Sequence, residues 1–175
     1  MSVKEILLLG NPVLRKKCGR ITTVKEPSVR RTIEDLTDTL GNFRSNKGFG
    51  RGISAPQIGI PGRIIVINID RPFAFINPKI VARSKTLMTL WDDCFSFPDI
   101  LVKLKRHSKV TVVYTDENGE KQRMSAAGEA SELLQHEIDH LDGILAIDRA
   151  IDSRHIILRS EYNKMIKAQK DFQLL

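Results

Sequence analysis

The stretch Gln135-His136-Glu137-Ile138-Asp139-His140-Leu141-Asp142-Gly143 constrains this chain more than any other. Ala130, Leu133, Leu134, Ile138 and Leu141 recur at helical spacing, which predicts a helix from about Glu129 to Asp142 with Gly143 as its stop. A helix apolar over so much of its surface lies deep in a core. Yet it carries two histidines and a glutamate, and buried polar groups without partners are costly. His136 and His140 stand four apart, so both imidazoles lie on one face and can point at one metal ion. Glu137 sits about 100° further round, where it can touch a water at that ion without binding the ion itself. A metal would satisfy all three.

This H-E-x-x-H order is that of metal hydrolases, with the glutamate as general base. By itself the pattern is only moderately specific, and a third protein ligand has to be found. Downstream, His155 is the one remaining histidine, inside a segment with charged neighbours, and makes a poor ligand. Upstream, Cys94 follows two aspartates and precedes Phe95-Ser96-Phe97-Pro98. A thiolate is a strong ligand, although a buried cysteine is also commonly a small apolar core residue.

The chain has 175 residues, enough for one domain with a sizeable core and short for two. An apolar fraction of 41% and a charged fraction of 28% are those of a folded globular protein. No apolar run approaches the roughly 20 residues of a membrane span. The apolar patch Ile6–Leu9 is ended by Gly10-Asn11-Pro12, too early for a signal-peptide core. A cytoplasmic protein is expected, or an organellar one if a transit peptide has been removed. With only Cys18 and Cys94, free thiols or a metal ligand are expected rather than a disulfide. The net charge of +7 favours an anionic neighbour such as RNA, or serves plain solubility. No aromatic-interleaved basic motif is present, so nucleic-acid contact would be peripheral and specific DNA binding is not expected.

Along the chain, Pro27 suits a first helical turn, and Ile33, Leu36, Leu40 and Phe43 follow at helical spacing. The glycines at 48, 50 and 52 end that helix and let the backbone approach a ligand closely. No Gly-Lys-Ser/Thr or βαβ frame accompanies them, which argues against a phosphate loop. Strands are predicted at 64–67, 75–76, 79–83, 86–91, 101–104, 109–115 and 121–124, with Asp116-Glu117-Asn118-Gly119 as a hairpin turn. The tail from Ile151 to Leu175 reads as a further helix. Ile156, Ile157, Tyr162, Met165 and Ile166 are expected inward, and Arg154, Arg159, Lys164, Lys167 and Lys170 mostly outward. The whole reads as one domain of mixed α and β.

Three motifs now stand in order: Gly50-Arg51-Gly52-Ile53-Ser54-Ala55-Pro56-Gln57, Asp92-Asp93-Cys94-Phe95-Ser96 and Gln135-His136-Glu137-Ile138-Asp139-His140. Together they resemble the peptide deformylases, whose patterns are G-x-G-L-A-A-x-Q, E-G-C-L-S and Q-H-E-x-D-H. Gly10–Arg15, Ile76-Asn77-Pro78 and Leu141–Leu145 extend the resemblance over nearly the whole chain. It implies one α+β domain over residues 1–175, with antiparallel β-sheets packed around a central metal-binding helix and helices near both termini. It implies that Cys94, His136 and His140 hold one divalent ion, natively Fe2+, with Zn2+, Ni2+ or Co2+ also accommodated. Glu137 would be the base, and the Gln57 side chain and Phe95 backbone N–H would donate to the oxyanion. Gly50, Arg51, Gly52 and Asp93 would line the groove for an extended peptide. The implied reaction is hydrolysis of N-formyl-methionyl peptides to formate and a free amino terminus. Family members dock on the ribosome, and the basic side of the C-terminal helix, Lys164, Lys167 and Lys170, would suit that role.

The departures fall at the mouth of the site. Asp92 replaces a glutamate and is expected to pair with Arg106. Ser54 for alanine and Ile53 for leucine read as mild. Asp93 for glycine adds bulk and charge, Phe95 for leucine enlarges a side chain, and Arg51 replaces an apolar residue. An Arg51–Asp93 ion pair that narrows or re-charges the groove is expected. An altered N-formyl or N-acyl substrate range is therefore the alternative to the ordinary reaction. A weakly active peptide- or ribosome-binding homologue is a further one, against which the retention of Glu137 and Gln57 argues.

Overall fold

The computed structural model describes residues 2–173, with side chains to Lys167. In chain order its elements are α1 (Pro27–Lys47), β1 (Gly52–Ser54), β2 (Ile64–Asn68), β3 (Pro72–Arg83), β4 (Leu87–Asp93) and β5 (Ile100–His107). Then follow β6 (Lys109–Thr115), β7 (Lys121–Ala127), α2 (Glu129–Leu141), β8 (Ile156–Leu158) and α3 (Arg159–Gln173). Every strand pair is antiparallel. One sheet has the order β1-β2-β3-β6-β7 and the other β4-β5-β8.

The expected α+β architecture holds, and the reasons are local. Pro27 opens α1, and Gly48 closes it in the left-handed region (φ 76°), where its N–H reaches the Arg44 carbonyl. The predicted inner residues Ile33, Leu36 and Leu40 pack with Ile53, Ile64, Val66, Ala74 and Ile76. On the other side, Leu133, Leu134, Ile138 and Leu141 of α2 join Ile65, Phe75, Val110 and Val112. The central helix thus packs against the large sheet and also touches β5 of the small one. This position fixes the polar face of α2 opposite the end of β4.

Two stretches differ from the periodicity. The strands predicted at 75–76 and 79–83 are one strand, β3, which passes through Asn77-Pro78 with a register shift between Ile76 and Lys79. Asn77 takes a positive φ of 52°, and its side chain exchanges two hydrogen bonds of 2.8 Å with the Ile21 backbone. Such an amide tolerates the left-handed region because it can bond locally. In the tail, helix begins only at Arg159, because Ile156–Leu158 add an edge strand to β5 instead. Ile156 and Met165, expected inward, are 38% and 51% exposed. Tyr162 is half-buried against Trp91. Arg154, Lys164 and Lys167 are exposed as expected, whereas Lys170 lies outside the described side chains.

Candidate metal centre and substrate cleft

The four-residue spacing on α2 brings His136 Nε2 to 3.2 Å from His140 Nε2. Cys94, immediately after β4, places its Sγ 3.3 Å from the same His140 nitrogen. All three side chains are buried, and their donor atoms lie within 4.8 Å of one another. A tetrahedral ion with bonds of about 2.0–2.1 Å to nitrogen and 2.3 Å to sulfur would have ligand–ligand edges of roughly 3.3–3.6 Å. The observed spacings fit one such ion. His140 Nδ1 is buried with no hydrogen-bond partner among the described residues, so the ring directs its polar capacity at this point alone.

Outer contacts orient the ligands. His136 Nδ1 is 2.9 Å from Asp92 Oδ1, which holds a proton on Nδ1 and leaves the Nε2 lone pair facing the centre. Arg106 donates to Asp92 Oδ2 at 3.0 Å and to Asp139 at 2.6 Å, as the sequence suggested for the first of these pairs. Burial pushes the Asp92 carboxyl up, but His136 and Arg106 outweigh it and hold it at about 2. Burial lowers the His136 pKa, and the Asp92 carboxylate more than reverses this, so it lies well above the ordinary value and a metal ion binding at Nε2 would have to displace a proton there. Burial and the neighbouring His136 push His140 well below the ordinary value, which keeps that imidazole neutral. A neutral ring is what a metal ligand must offer.

Glu137 is buried beside this cluster, and burial raises its carboxyl to about 7 against the lowering influence of His136 and the Ser54 hydroxyl. Ser54 Oγ donates to the Glu137 carboxylate and lies 3.0 Å from the Glu137 backbone carbonyl. Gly52 is required by this arrangement, since a Cβ there would stand 2.7 Å from Glu137 Oε1. Gln57 sits on the short 3-10 turn Ala55–Ile58 that Ser54 caps. Its Oε1 accepts the Ser54 N–H, and its Nε2 points at Cys94 Sγ (3.6 Å) and Ser96 Oγ (3.4 Å). The Phe95 N–H has no acceptor among the described residues. Its ring turns into the core, stacked on Phe43 at 3.8 Å, and so stays out of the metal cluster.

The cluster opens into a cleft of about 620 Å³ bounded by Gly50–Gly52 on one side and Leu90–Asp93 on the other. Both β1 and β4 are edge strands, so unpaired backbone lines both walls. The expected Arg51–Asp93 ion pair does not form. Arg51 reaches α2, at 2.8 Å from Glu132 and 3.1 Å from Glu129, while Asp93 takes Arg159 at 2.8 Å. Arg159, expected outward, instead lies 4.1 Å over the Phe49 ring and donates to the Pro98 carbonyl. Sequence reading missed Glu132, although its place four residues before His136 puts it on the metal-facing side of α2. It also passed over the Ser54 hydroxyl.

Comparison over the whole chain finds relatives in both sequence and structure. The polypeptide deformylase sequence family matches residues 3–155. The chain belongs to the polypeptide deformylase family. A peptide deformylase of Pseudothermotoga lettingae is 36% identical over 165 residues, covering 94% of this chain and 93% of that protein. One from Rhizobium meliloti is 32% identical over 175 residues, covering 97% of each. The crystal structure of the Thermotoga maritima peptide deformylase superposes with a TM-score of 0.81 at 33% identity, over 87% of this chain and all of that one. The Synechococcus elongatus enzyme in complex with actinonin gives 0.80 at 33% identity, over 89% of this chain and 82% of that one. Deformylases are metal-dependent hydrolases that remove the formyl group from nascent peptides, and this chain is an enzyme of that type. Among the described residues no helix is long and apolar enough to cross a membrane.

Proposed function

We propose that residues 1–175 act as one catalytic unit that hydrolyses the formamide of N-formyl peptides through the groups around α2, with formyl-methionyl peptides as the reference substrate. The observation that carries this is the meeting of three buried donor atoms, Cys94 Sγ, His136 Nε2 and His140 Nε2, beside the Glu137 carboxylate. These three residues would hold one divalent ion, Fe2+ in the cell by family resemblance and Zn2+, Ni2+ or Co2+ in substitution. When bound, the ion supplies Lewis acidity that activates water and polarises the formyl carbonyl. Glu137 takes the proton of the attacking water and delivers it to the departing amine. The Gln57 Nε2–H and the Phe95 N–H donate to the oxygen that becomes negative as the formyl carbon turns tetrahedral. The edge of β1, with Gly50, Arg51 and Gly52, pairs with the peptide as an added strand, and Asp93 stands at the opposite wall. Formate release from formyl-Met peptides with Fe2+ under anaerobic conditions tests the reading, with Glu137→Ala as control. Absence of release from every formylated peptide would overturn it.

A narrower substrate range is favoured by one observation. Arg159 is tied to Asp93, Pro98 and Phe49, and so links two residues, Asp93 and Phe49, that line the cleft. Asp93→Gly would release it, and a gain in turnover of formyl peptides longer than two residues is expected. Docking on the ribosome is supported by the exposed Arg154, Lys164 and Lys167. Exchanging Lys164, Lys167 and Lys170 for glutamate is expected to weaken ribosome binding in low salt; unchanged binding would count against docking. A cytoplasmic or organellar location follows from such a substrate.

A further inference from the structure

The part of the cleft next to Glu137 carries a charge arrangement that the reaction itself does not use. Arg51 crosses from the residue before β1 to α2, where it meets Glu132 Oε2 and Glu129 Oε2. Glu132 is only 6% exposed, and Glu129 stands in solvent at the rim. Two carboxylates against one guanidinium leave a surplus of negative charge. The second oxygen of Glu132 receives no hydrogen bond among the described residues. Asp92 lies close to Glu132 and is an anion as well, but its own charge is matched by Arg106 and His136. Of the other lining residues Met88, Leu90 and Leu133 are apolar, and the Arg44 guanidinium is turned to the Asn68 carbonyl at 2.8 Å. The cleft therefore combines apolar wall with an open acceptor on Glu132.

An unbranched side chain with an apolar terminus can pack on those apolar walls but strips water from the Arg51–Glu132 pair and returns no hydrogen bond, which is a net loss. A side chain with the same stem and a terminal N–H donor satisfies the open Glu132 oxygen and offsets the surplus charge. We propose that this pocket selects N-formyl substrates whose first side chain is a straight aliphatic stem ending in an N–H donor, a lysine-like cation foremost, over methionine. The proposal rests on the deformylation reading and names the side chain that reading leaves open. Arg51 and Glu132 are then specificity-determining residues, with the formamide chemistry left to Glu137 and its neighbours.

The test compares formate release from formyl-Lys-Ala-Ser, formyl-norleucine-Ala-Ser, formyl-Met-Ala-Ser and formyl-Glu-Ala-Ser by the metal-loaded enzyme. The lysine peptide is expected to show a kcat/KM on the order of 10–100-fold above the norleucine peptide, with the glutamate peptide last. Calorimetric binding of the deformylated products, Lys-Ala-Ser against norleucine-Ala-Ser, is expected to follow the same order. Replacing both charges, Arg51→Leu with Glu132→Leu, is expected to invert the preference toward norleucine. If that variant does not fold, the wild-type ratio alone decides. Equal rates, or a wild-type preference for norleucine or methionine, would overturn the pocket assignment and leave deformylation standing. No formate from any of the four peptides would overturn deformylation, and the product-binding order would then decide the pocket by itself.

Discussion

Replacing Ser54 by alanine tests how a buried Glu137 carboxylate is kept usable as a base near neutral pH. The Ser54 hydroxyl has one proton and two acceptors in Glu137, the carboxylate and the backbone carbonyl at 3.0 Å. With Glu137 ionised, the proton goes to the carboxylate. With Glu137 protonated, the hydroxyl turns to the carbonyl and accepts from the acid. Ser54 is thus bonded in both states, and only the difference between them moves the equilibrium. A hydrogen bond to a charged group contributes about 1.5–3 kcal/mol and a neutral one about 0.5–1.5 kcal/mol. The difference of about 1–1.5 kcal/mol corresponds to roughly one pH unit. Burial already raises Glu137 to about 7, and the hydroxyl opposes burial, so its loss moves the carboxyl further up. The role proposed for Glu137 as base needs the ionised form. The acidic limb of the kcat/KM profile for formate release is therefore expected to move to higher pH by about one unit, with the plateau little changed. A limb that stays in place or moves to lower pH, in a variant with an unaltered circular dichroism spectrum, would refute the reasoning.

Arg106→Ala strips a 3% exposed guanidinium from two carboxylates, Asp92 and Asp139. Leaving buried Asp92 without it is expected to cost about 3–5 kcal/mol in chemical denaturation. Metal affinity is expected to fall about 10–100-fold as the His136 orientation loosens. Gly50→Ala meets both a φ of 114° and the Phe95 ring, so a loss of about 2–4 kcal/mol is expected in urea unfolding. Chelation of the metal is expected to lower Tm by roughly 5–10 °C relative to protein held at 100-fold the metal Kd, read by scanning calorimetry. A Cys94→Ala variant should show no such difference.

Much of the candidate site was legible because a metal would impose its own spacing on the residues that hold it. Two histidines four apart on an apolar helix need a common partner, and a cysteine between two strands was the strongest remaining donor. The fold followed similarly: Ile33, Leu36 and Leu40 declared α1, and the β-branched run at 64–67 declared β2. The tail was misread because Ile156-Ile157-Leu158 suits a helix or a strand equally over three residues. The free edge of β5 decided between them. Ser54 looked mild because its only distinction from alanine is a hydroxyl, whose value depends on a glutamate 83 residues away.

The fate of Arg51 shows why charge partners at a cleft cannot be assigned from residue type. Arg51 and Asp93 are opposite in sign and line the same cleft, yet register sends each elsewhere. Asp93 pairs with Leu101 across β4 and β5, and Leu101 pairs with Ile157 across β5 and β8. Two residues beyond Ile157 comes Arg159, delivered to the Asp93 end of the small sheet by the period of the strand. Arg51 precedes β1, which lies against α2, so Glu129 and Glu132 on the first turn of that helix reach it instead. Each pairing is set by which strand edge is occupied, not by attraction alone. The two pairs have opposite consequences for a ligand. Asp93 with Arg159 is a one-to-one neutral pair, whereas Arg51 with two glutamates leaves an acceptor open on Glu132. In the proposed binding mode, a peptide lying between β1 and β4 would meet Glu132 with its first side chain, one helical turn from the candidate metal ligand His136.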